Sequence, residues 1–440
     1  MINIRHEAYD IIVKVLKNKE YSDNLLQQKA KKLKHHDIEN IGLLYQLVKG
    51  TVKYQMHLDF ISRQFVDKIK YDKTDLKIKA LLYLGLFQLT QMSSIPDHAA
   101  VNETVELAKT LYGDGIASFI NSVLRSYQRT PKINYPDNAI ERIAYEHSYP
   151  LHLIETWIKH WGEEKTELLA MFFNETSKLH IRVNTIATDT NKLMQYFAKR
   201  DIKCTLSQAS KNILVCESAI EAIDDVAFSE GYYSIQDTSA ALIVELLDPK
   251  AEESVLDMFA APGGKCTYIA EKLNNTGEII AVDKTPAKMK LLKQAAERLQ
   301  IENINIMVMD AFNYGPVAPA FHKVLVDAPC SGWGVMGRKA DLRWQSHQNI
   351  VELIKLQEKA LNYASNFVKP NGVLVYSTCT MNPDENEKQI EQFLKKNKKF
   401  ELIDASTIVP KEYTENGYLK TIPYKHYMDG AFAARLKKVQ

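Results

Sequence analysis

Between residues 253 and 379, short apolar runs alternate with stretches of helical periodicity, and this alternation restricts the fold more than any other feature of the chain. The runs are 253–259, 278–283, 305–310, 323–327 and 372–379, and helical patterns occupy 265–273, 286–299 and 350–367. Strands that are apolar throughout, rather than at every second residue, must be covered on both faces. Alternating with helices, they predict a doubly wound, mostly parallel α/β sheet. Ligands of such sheets sit beyond the carboxyl ends of the strands, so the residues that follow each run are the candidates for a site.

The first run leads into Asp257-Met258-Phe259-Ala260-Ala261-Pro262-Gly263-Gly264-Lys265. Small residues and two glycines allow a tight turn and a close backbone approach to a ligand. The helix that follows would offer free amides to a carboxylate or phosphate. A nucleotide P-loop is excluded twice, because Phe259 stands at its first glycine and Cys266 at its final Ser or Thr. The dinucleotide pattern Gly-x-Gly-x-x-Gly is also absent. Alone, such a loop is more often a plain strand-to-helix turn. The second and third runs, however, end in Asp283 and Asp310. An acid at the second strand end suits ribose hydroxyls, and Asp310 could meet an adenine amino group, although isolated strand-end aspartates usually form turns or caps. The loop and the two acids together describe a nucleoside site.

The fourth run ends in Asp327-Ala328-Pro329-Cys330-Ser331-Gly332 and the fifth in Tyr376-Ser377-Thr378-Cys379-Thr380. Neighbouring strands lie about 4.8 Å apart, so both thiols would open onto one crevice. No C-x-x-C pattern or histidine cluster adjoins either, so no metal is expected. Burial as filler is the common fate of a cysteine. Cys204, Cys216 and Cys266 are read that way, whereas Cys330 and Cys379 stand in polar turns at strand ends and are read as chemistry. Five cysteines in 440 residues fit free thiols in a reducing cytoplasm better than a disulfide framework.

Upstream, apolar residues recur at helical spacing, as in Ile41, Leu44, Tyr45, Leu47 and Val48 and again from Leu81 to Leu89. The expected organisation is an all-helical domain over 1–130, a linker over 131–150, a small α+β domain over 151–236 and the α/β domain over 237–440. The helical region carries 19 Lys and Arg against 14 Asp and Glu, although the whole chain is only +2. Phosphates respond to a local basic face, so nucleic acid stays open as a partner. No run of 18 apolar residues and no signal peptide is present, which argues against a membrane.

The motifs DMFAAPGGK (257–265), DAPCSG (327–332), RKADLRW (338–344) and STCTMNPDENE (377–387) resemble the RNA cytosine-5 methyltransferases of the Nop2/NSUN/RsmB family. The resemblance implies a Rossmann-like class I methyltransferase domain that uses S-adenosyl-L-methionine. It implies Cys379 as the nucleophile, Cys330 as the group assisting product release, and Asp327 and Lys265 in the catalytic site. Cofactor contacts are implied at Asp257, Phe259, Ala260, Ala261, Pro262, Gly263, Gly264, Lys265, Asp283, Asp310 and Asp327. Residues 83–111 and 119–125 resemble a NusB-like helical domain, and RVNT (182–185) with SIQDTSA (234–240) resembles the family's small RNA-binding α+β domain. This combination implies methylation of carbon 5 of one cytosine of 16S ribosomal RNA, free or partly assembled, by a cytoplasmic monomer. Phe259, Met309 and Ala433-Ala434 depart from the residues frequent in relatives.

Arg338, Lys339 and Arg343 follow Cys330 closely, with Trp344 interleaved. They are expected to bind RNA, the cations at phosphates and the indole by stacking. The bland alternative is an ordinary basic surface. Two other functions compete: a transfer-RNA methyltransferase, against which the NusB-like region speaks, and a non-catalytic RNA-binding or antitermination factor, against which Cys330, Cys379 and Lys265 speak.

Overall fold

The computed structural model describes residues 3–34, 41–217, 225–315, 320–345 and 350–439. The chain divides into two compact units, Met1–Glu175 with Arg338–Gln345, and Thr176–Gly337 with Ser346–Gln440.

The first unit is helical. Its described helices are Ile4–Asn18, Ser22–Lys34, Ile41–Lys53, Gln55–Gln64, Lys68–Asp72, Leu76–Gln91, Asp97–Tyr112 and Asp114–Arg129, followed by Ala139–His147, Leu151–Trp161 and Glu163–Phe172. Helix Leu76–Gln91 begins where the Asp75 carboxylate accepts from the Lys77 amide, and buries Leu81, Leu82, Leu84 and Leu86 completely. A helix apolar around most of its circumference needs neighbours on every side. Leu44, Leu58, Val101 and Ile120 from four other helices complete its core. The helices between Ala139 and Phe172 belong to this unit, so its helical part continues beyond the stretch anticipated as a linker.

In the second unit, β1 (Leu179–Val183), β2 (Cys204–Leu206), β3 (Ile213–Cys216) and β4 (Tyr233–Ile235) form an antiparallel sheet in the order β2-β3-β1-β4. Leu193 and Phe197 of helix Thr190–Ala198 pack on its Ile181, Val183, Leu214 and Tyr233. Cys204 and Cys216 face each other across β2 and β3 and are joined by a disulfide. This corrects the expectation of free thiols. Residues twelve apart in the chain become direct cross-strand partners, and composition does not reveal such a register.

The large sheet comprises β5 (Ser254–Asp257), β6 (Glu278–Asp283), β7 (Ile304–Val308), β8 (Phe321–Asp327), β9 (Val368–Thr378), β10 (Phe400–Ile403), β11 (Thr414–Glu415), β12 (Tyr418–Thr421) and β13 (Ala431–Lys438). Its order is β11-β12-β13-β9-β8-β5-β6-β7, with β10 paired to β13. The stretch β9-β8-β5-β6-β7 is parallel, and the strands that follow β9 in the chain add to it antiparallel. Both faces are buried. Val255, Leu325 and Val375 pack with Ile269 and Leu292 of the helices on one face, whereas Leu256, Val324, Val326 and Leu374 pack with Leu361 and Phe393 on the other. Strand order reverses at β5 and β8, the place where an open sheet splits to admit a ligand.

The small sheet is fastened to the large one through a buried arginine. Arg182 of β1 donates to both Glu271 carboxylate oxygens (3.0 and 2.7 Å), to Thr267 Oγ1 (3.0 Å) and to the Gly264 carbonyl (2.7 Å). These partners lie on helix Gly264–Lys272, which follows the β5 loop. β1 therefore braces the helix whose first turn lines the crevice.

Candidate active site

The site is assembled at the carboxyl ends of β5, β8 and β9. Asp257 closes β5. It is fully buried, with the Phe259 amide acting on its carboxylate and no side-chain donor bonded to it among the described residues. Burial, reinforced by the negative field of Asp327, pushes its pKa up to about 7. The next turn needs glycine. Gly263 adopts φ +112°, and a Cβ there would stand 2.5 Å from Leu292 Cδ1. Beyond it the helix opens at Gly264, where the buried Gln236 amide nitrogen has no partner among the described residues and lies 3.7 Å from where a Gly264 Cβ would be.

Asp327 ends β8 opposite Ser377 of β9. Its two oxygens accept from Lys265 Nζ (2.7 Å) and Ser377 Oγ (2.8 Å). Burial works against the Lys265 ammonium. The Asp327 carboxylate, helped by Cys379 and Asp257, outweighs it and holds the Lys265 pKa above its ordinary value. Lys265 is therefore a cation at neutral pH, fixed by an acid from the neighbouring strand.

Two sulfurs meet just beyond. Cys330 Sγ and Cys379 Sγ are 3.3 Å apart, and the Cys379 amide also donates to Cys330 Sγ at 3.3 Å. Both residues are partly exposed, whereas Cys266 is buried. The hydrogen bond with Cys379, then burial, then the charges of Cys379 and Glu385 push the Cys330 thiol well up. Gly334 holds the turn after Cys330 closed. Its amide donates to the Cys379 carbonyl at 3.0 Å, and a Cβ would stand 2.0 Å from the Gly430 carbonyl oxygen.

The remaining strand ends carry the other two candidate acids. Asp283 ends β6 partly exposed, with Oδ1 accepting from Thr285 N at 2.8 Å. Asp310 is exposed after β7 and caps a short turn through Phe312 N at 3.0 Å. The ring of Phe259 meets that of Phe312 edge-on at 6.4 Å, so an aromatic wall connects the β5 and β7 loops.

A family described as 16S rRNA methyltransferase RsmB/F matches residues 244–437. The NusB family matches 2–129, and a ferredoxin-like domain of RsmF/B-like methyltransferases matches 149–222. The chain is 34% identical over 450 residues to a probable ribosomal RNA small subunit methyltransferase B of Bacillus subtilis, covering 99% of each. A protein of the same description from Synechocystis is 33% identical and is matched over 100% of each chain. The chain belongs to the ribosomal RNA small subunit methyltransferase B family. The crystal structure of PH0851 superposes with a TM-score of 0.82 at 26% identity, over 100% of this chain and 99% of that one. The RsmB/F family's three-part architecture is thus present: a NusB-like helical part, a small ferredoxin-like sheet and a Rossmann-like methyltransferase sheet.

Within this RsmB/F chain, the basic segment after Cys330 needs correction. Arg343 is fully buried in the helical unit and donates to the Ser148 carbonyl (3.3 Å), the Phe173 carbonyl (3.1 Å) and Asn174 Oδ1 (2.8 Å). Its guanidinium also lies 4.0 Å from the Tyr149 ring centroid. Trp344 packs on the helical core and donates its indole N–H to the Val52 carbonyl at 2.8 Å. Asp341 accepts from both the amide and the hydroxyl of Ser22. Arg343 and Trp344 therefore hold this segment in the helical unit, and neither is free to meet RNA as expected. Lys339 is exposed and Arg338 partly so. Ala433 and Ala434 are buried in β13 opposite Ser377 and Tyr376 of β9. Sequence reading missed Ser377 and Gln236. A hydroxyl in an otherwise apolar strand end and the polar SIQD run were the available signals.

Proposed function

We propose that this chain transfers the methyl group of S-adenosyl-L-methionine to carbon 5 of a cytosine in small-subunit ribosomal RNA, with Cys379 as a covalent nucleophile. The observation that carries this reading is the pair of sulfurs 3.3 Å apart beside the Lys265–Asp327 ion pair. The names of its relatives support the ribosomal substrate, and the NusB match favours it over transfer RNA.

The residues present fit the cofactor. Asp257 has a buried carboxylate with no side-chain donor among the described residues, which an α-amino group would supply, and helix Gly264–Lys272 with Gln236 presents donors to a carboxylate. Asp283 would take ribose hydroxyls, and Asp310 with the Phe259 loop would border the adenine. Phe259 to Lys265 would surround the methionine end. When bound, the cofactor supplies an electrophilic methyl group.

The protein's own work lies on the base. The Cys379 thiolate gives its electron pair to carbon 6 of cytosine, and the displaced ring electrons make carbon 5 nucleophilic. Asp327, fixed by Lys265 and Ser377, would receive the ring's amino edge as charge develops. After methylation the carbon 5 proton passes to water, its bonding pair re-forms the carbon 5–carbon 6 double bond and Cys379 leaves as thiolate. Cys330 assists that release. The cytosine must be single-stranded or flipped out, at about a few kcal/mol. Lys339 and Arg338 would meet phosphates of the RNA.

We assign no metal to the chemistry. Among the described residues Glu146, His147 and Glu167 cluster, but Arg142 donates to both Glu167 oxygens (2.5 and 2.8 Å) and supplies the positive charge there. No described helix is long and apolar enough to cross a membrane. Its place would be the cytoplasm, where ribosomal RNA is made, and its working form a monomer.

Mapping 5-methylcytosine in 16S ribosomal RNA from cells with and without this protein tests the substrate. One site should vanish without the protein and return with the wild-type chain but not with Cys379→Ala. An unchanged map would refute the assignment.

A further inference from the structure

Behind the two cysteines lies a buried carboxylate that the proposed reaction does not use. Glu385 is fully buried in the loop after β9. Its Oε2 accepts from the Ser331 amide (2.9 Å) and from Gln357 Nε2 (2.9 Å), and its Oε1 accepts from the Ser331 hydroxyl (2.5 Å) and from Asn382 Nδ2 (3.1 Å). Gln357 Nε2 also donates to the Pro329 carbonyl at 2.9 Å. One side chain thus holds the residue after Cys330 directly and the residue before it through Gln357.

The same network grips the other cysteine. Asn382 donates its amide to Thr380 Oγ1 at 3.2 Å, and that hydroxyl lies 2.8 Å from Ser331 Oγ. Asn386 bonds Thr378 Oγ1 (2.6 Å) and the Thr380 carbonyl (3.0 Å) on either side of Cys379. The Glu385 carboxylate thus stands behind Cys330, where its negative field acts on that thiol. Lys265 supplies the opposite charge where it interacts with Cys379. Two sulfurs 3.3 Å apart do not both ionise readily, so the first to lose its proton leaves the other protonated.

We propose that Glu385 is a positioning residue: it locks the Cys330 loop to the Cys379 loop and keeps Cys330 protonated, so that Cys379 is the sulfur that ionises. The titratable groups that interact with Cys330 are Cys379 from the end of β9, Glu385 from the following loop and Tyr376 from within β9, whose hydroxyl donates to the Glu385 carbonyl at 2.7 Å. Repulsion by Glu385 disfavours charge on Cys330, and attraction by Lys265 favours it on Cys379. The division of labour between two chemically identical side chains then has an electrostatic origin. This inference rests on the proposed reading of the cysteine pair, but its test needs neither RNA nor cofactor.

The test is competitive alkylation of the full-length protein with iodoacetamide at pH 7, each cysteine being quantified by peptide mass spectrometry. In the wild type Cys379 should react about tenfold faster than Cys330, because the thiolate is the nucleophile. Glu385→Gln keeps the shape and removes the charge, and should lower that ratio about tenfold. Glu385→Asp keeps the charge and should restore most of the preference. An unchanged ratio in a Gln variant with a wild-type melting curve overturns the proposal. If the Gln variant does not fold, Ser331→Ala decides: it leaves the carboxylate in place but cuts one anchor. Cys330 should then react severalfold faster with Cys379 unchanged, and equal Cys330 rates overturn the proposal. Absence of cytosine methyl transfer by the wild-type protein, with the alkylation ratios of wild type and variants as expected, would count against the cytosine reading and leave Glu385's role standing.

Discussion

Asp257 shows how far a single side chain can depart from what its position in the sequence suggests. It was legible as a strand-end acid; its burial beside Asp327 was not, because that depends on the β5–β8 pairing. An acid whose folded pKa is raised binds more protons in the native than in the unfolded state. Its contribution to stability is therefore largest at low pH and is lost as pH rises through the window from about 4 to about 7. Denaturant unfolding followed across that window should show the loss, on the order of a few kcal/mol. Asp257→Asn should flatten the profile, and a variant as pH-dependent as the wild type would place the titrating group elsewhere. The two strand-end cysteines, Cys330 and Cys379, stood out for a different reason: each stands in a polar turn that breaks an apolar run. Glu385 was present in the quoted motif but carried no chemical signal, because its partners come from three separate stretches of chain.

Secondary structure within the parallel sheet was readable almost to its ends, since burial makes β5, β6, β8 and β9 largely apolar, although the edge strand β7 is half exposed. The antiparallel strands after residue 396 were not, because β11 has only two residues and β12 four. Two elements carry sharper tests. Arg182→Leu removes the positive half of an ion pair between β1 and helix Gly264–Lys272 that is fully buried on both sides. It should cost about 3–5 kcal/mol in denaturant unfolding, since Glu271 is left buried without its partner; a change under about 1 kcal/mol would mean that the brace is dispensable. The segment Arg338–Gln345 separates two kinds of cation. Arg343→Ala should destabilise the protein by about 3 kcal/mol, as buried carbonyls lose their donors. Lys339→Ala should leave the melting curve unchanged, weaken RNA binding severalfold and reduce the salt slope by about 1. An equal effect of Lys339→Ala on melting would show that this lysine too is structural. The sequence could not distinguish these residues, because a cluster of Arg, Lys and Trp reads alike on a surface and at a packing seam.

Taken as a whole, the chain joins a helical unit to a methyltransferase sheet by two routes, once in sequence at Glu175 and again where residues 338–345 leave the second unit and return to it. That second crossing was invisible in the sequence, where the stretch looked like one more loop of the catalytic domain. The central claim is that a sulfur at position 379 bonds covalently to a cytosine. Cys330→Ala, incubated with S-adenosyl-L-methionine and a fragment of 16S ribosomal RNA, then denatured and digested, tests it most directly. The account predicts a denaturation-resistant protein–RNA adduct whose nucleotide is attached to the peptide containing Cys379, and no adduct in the Cys330→Ala, Cys379→Ala double variant. Free protein beside fully methylated RNA, or a nucleotide attached at any other residue, would contradict it.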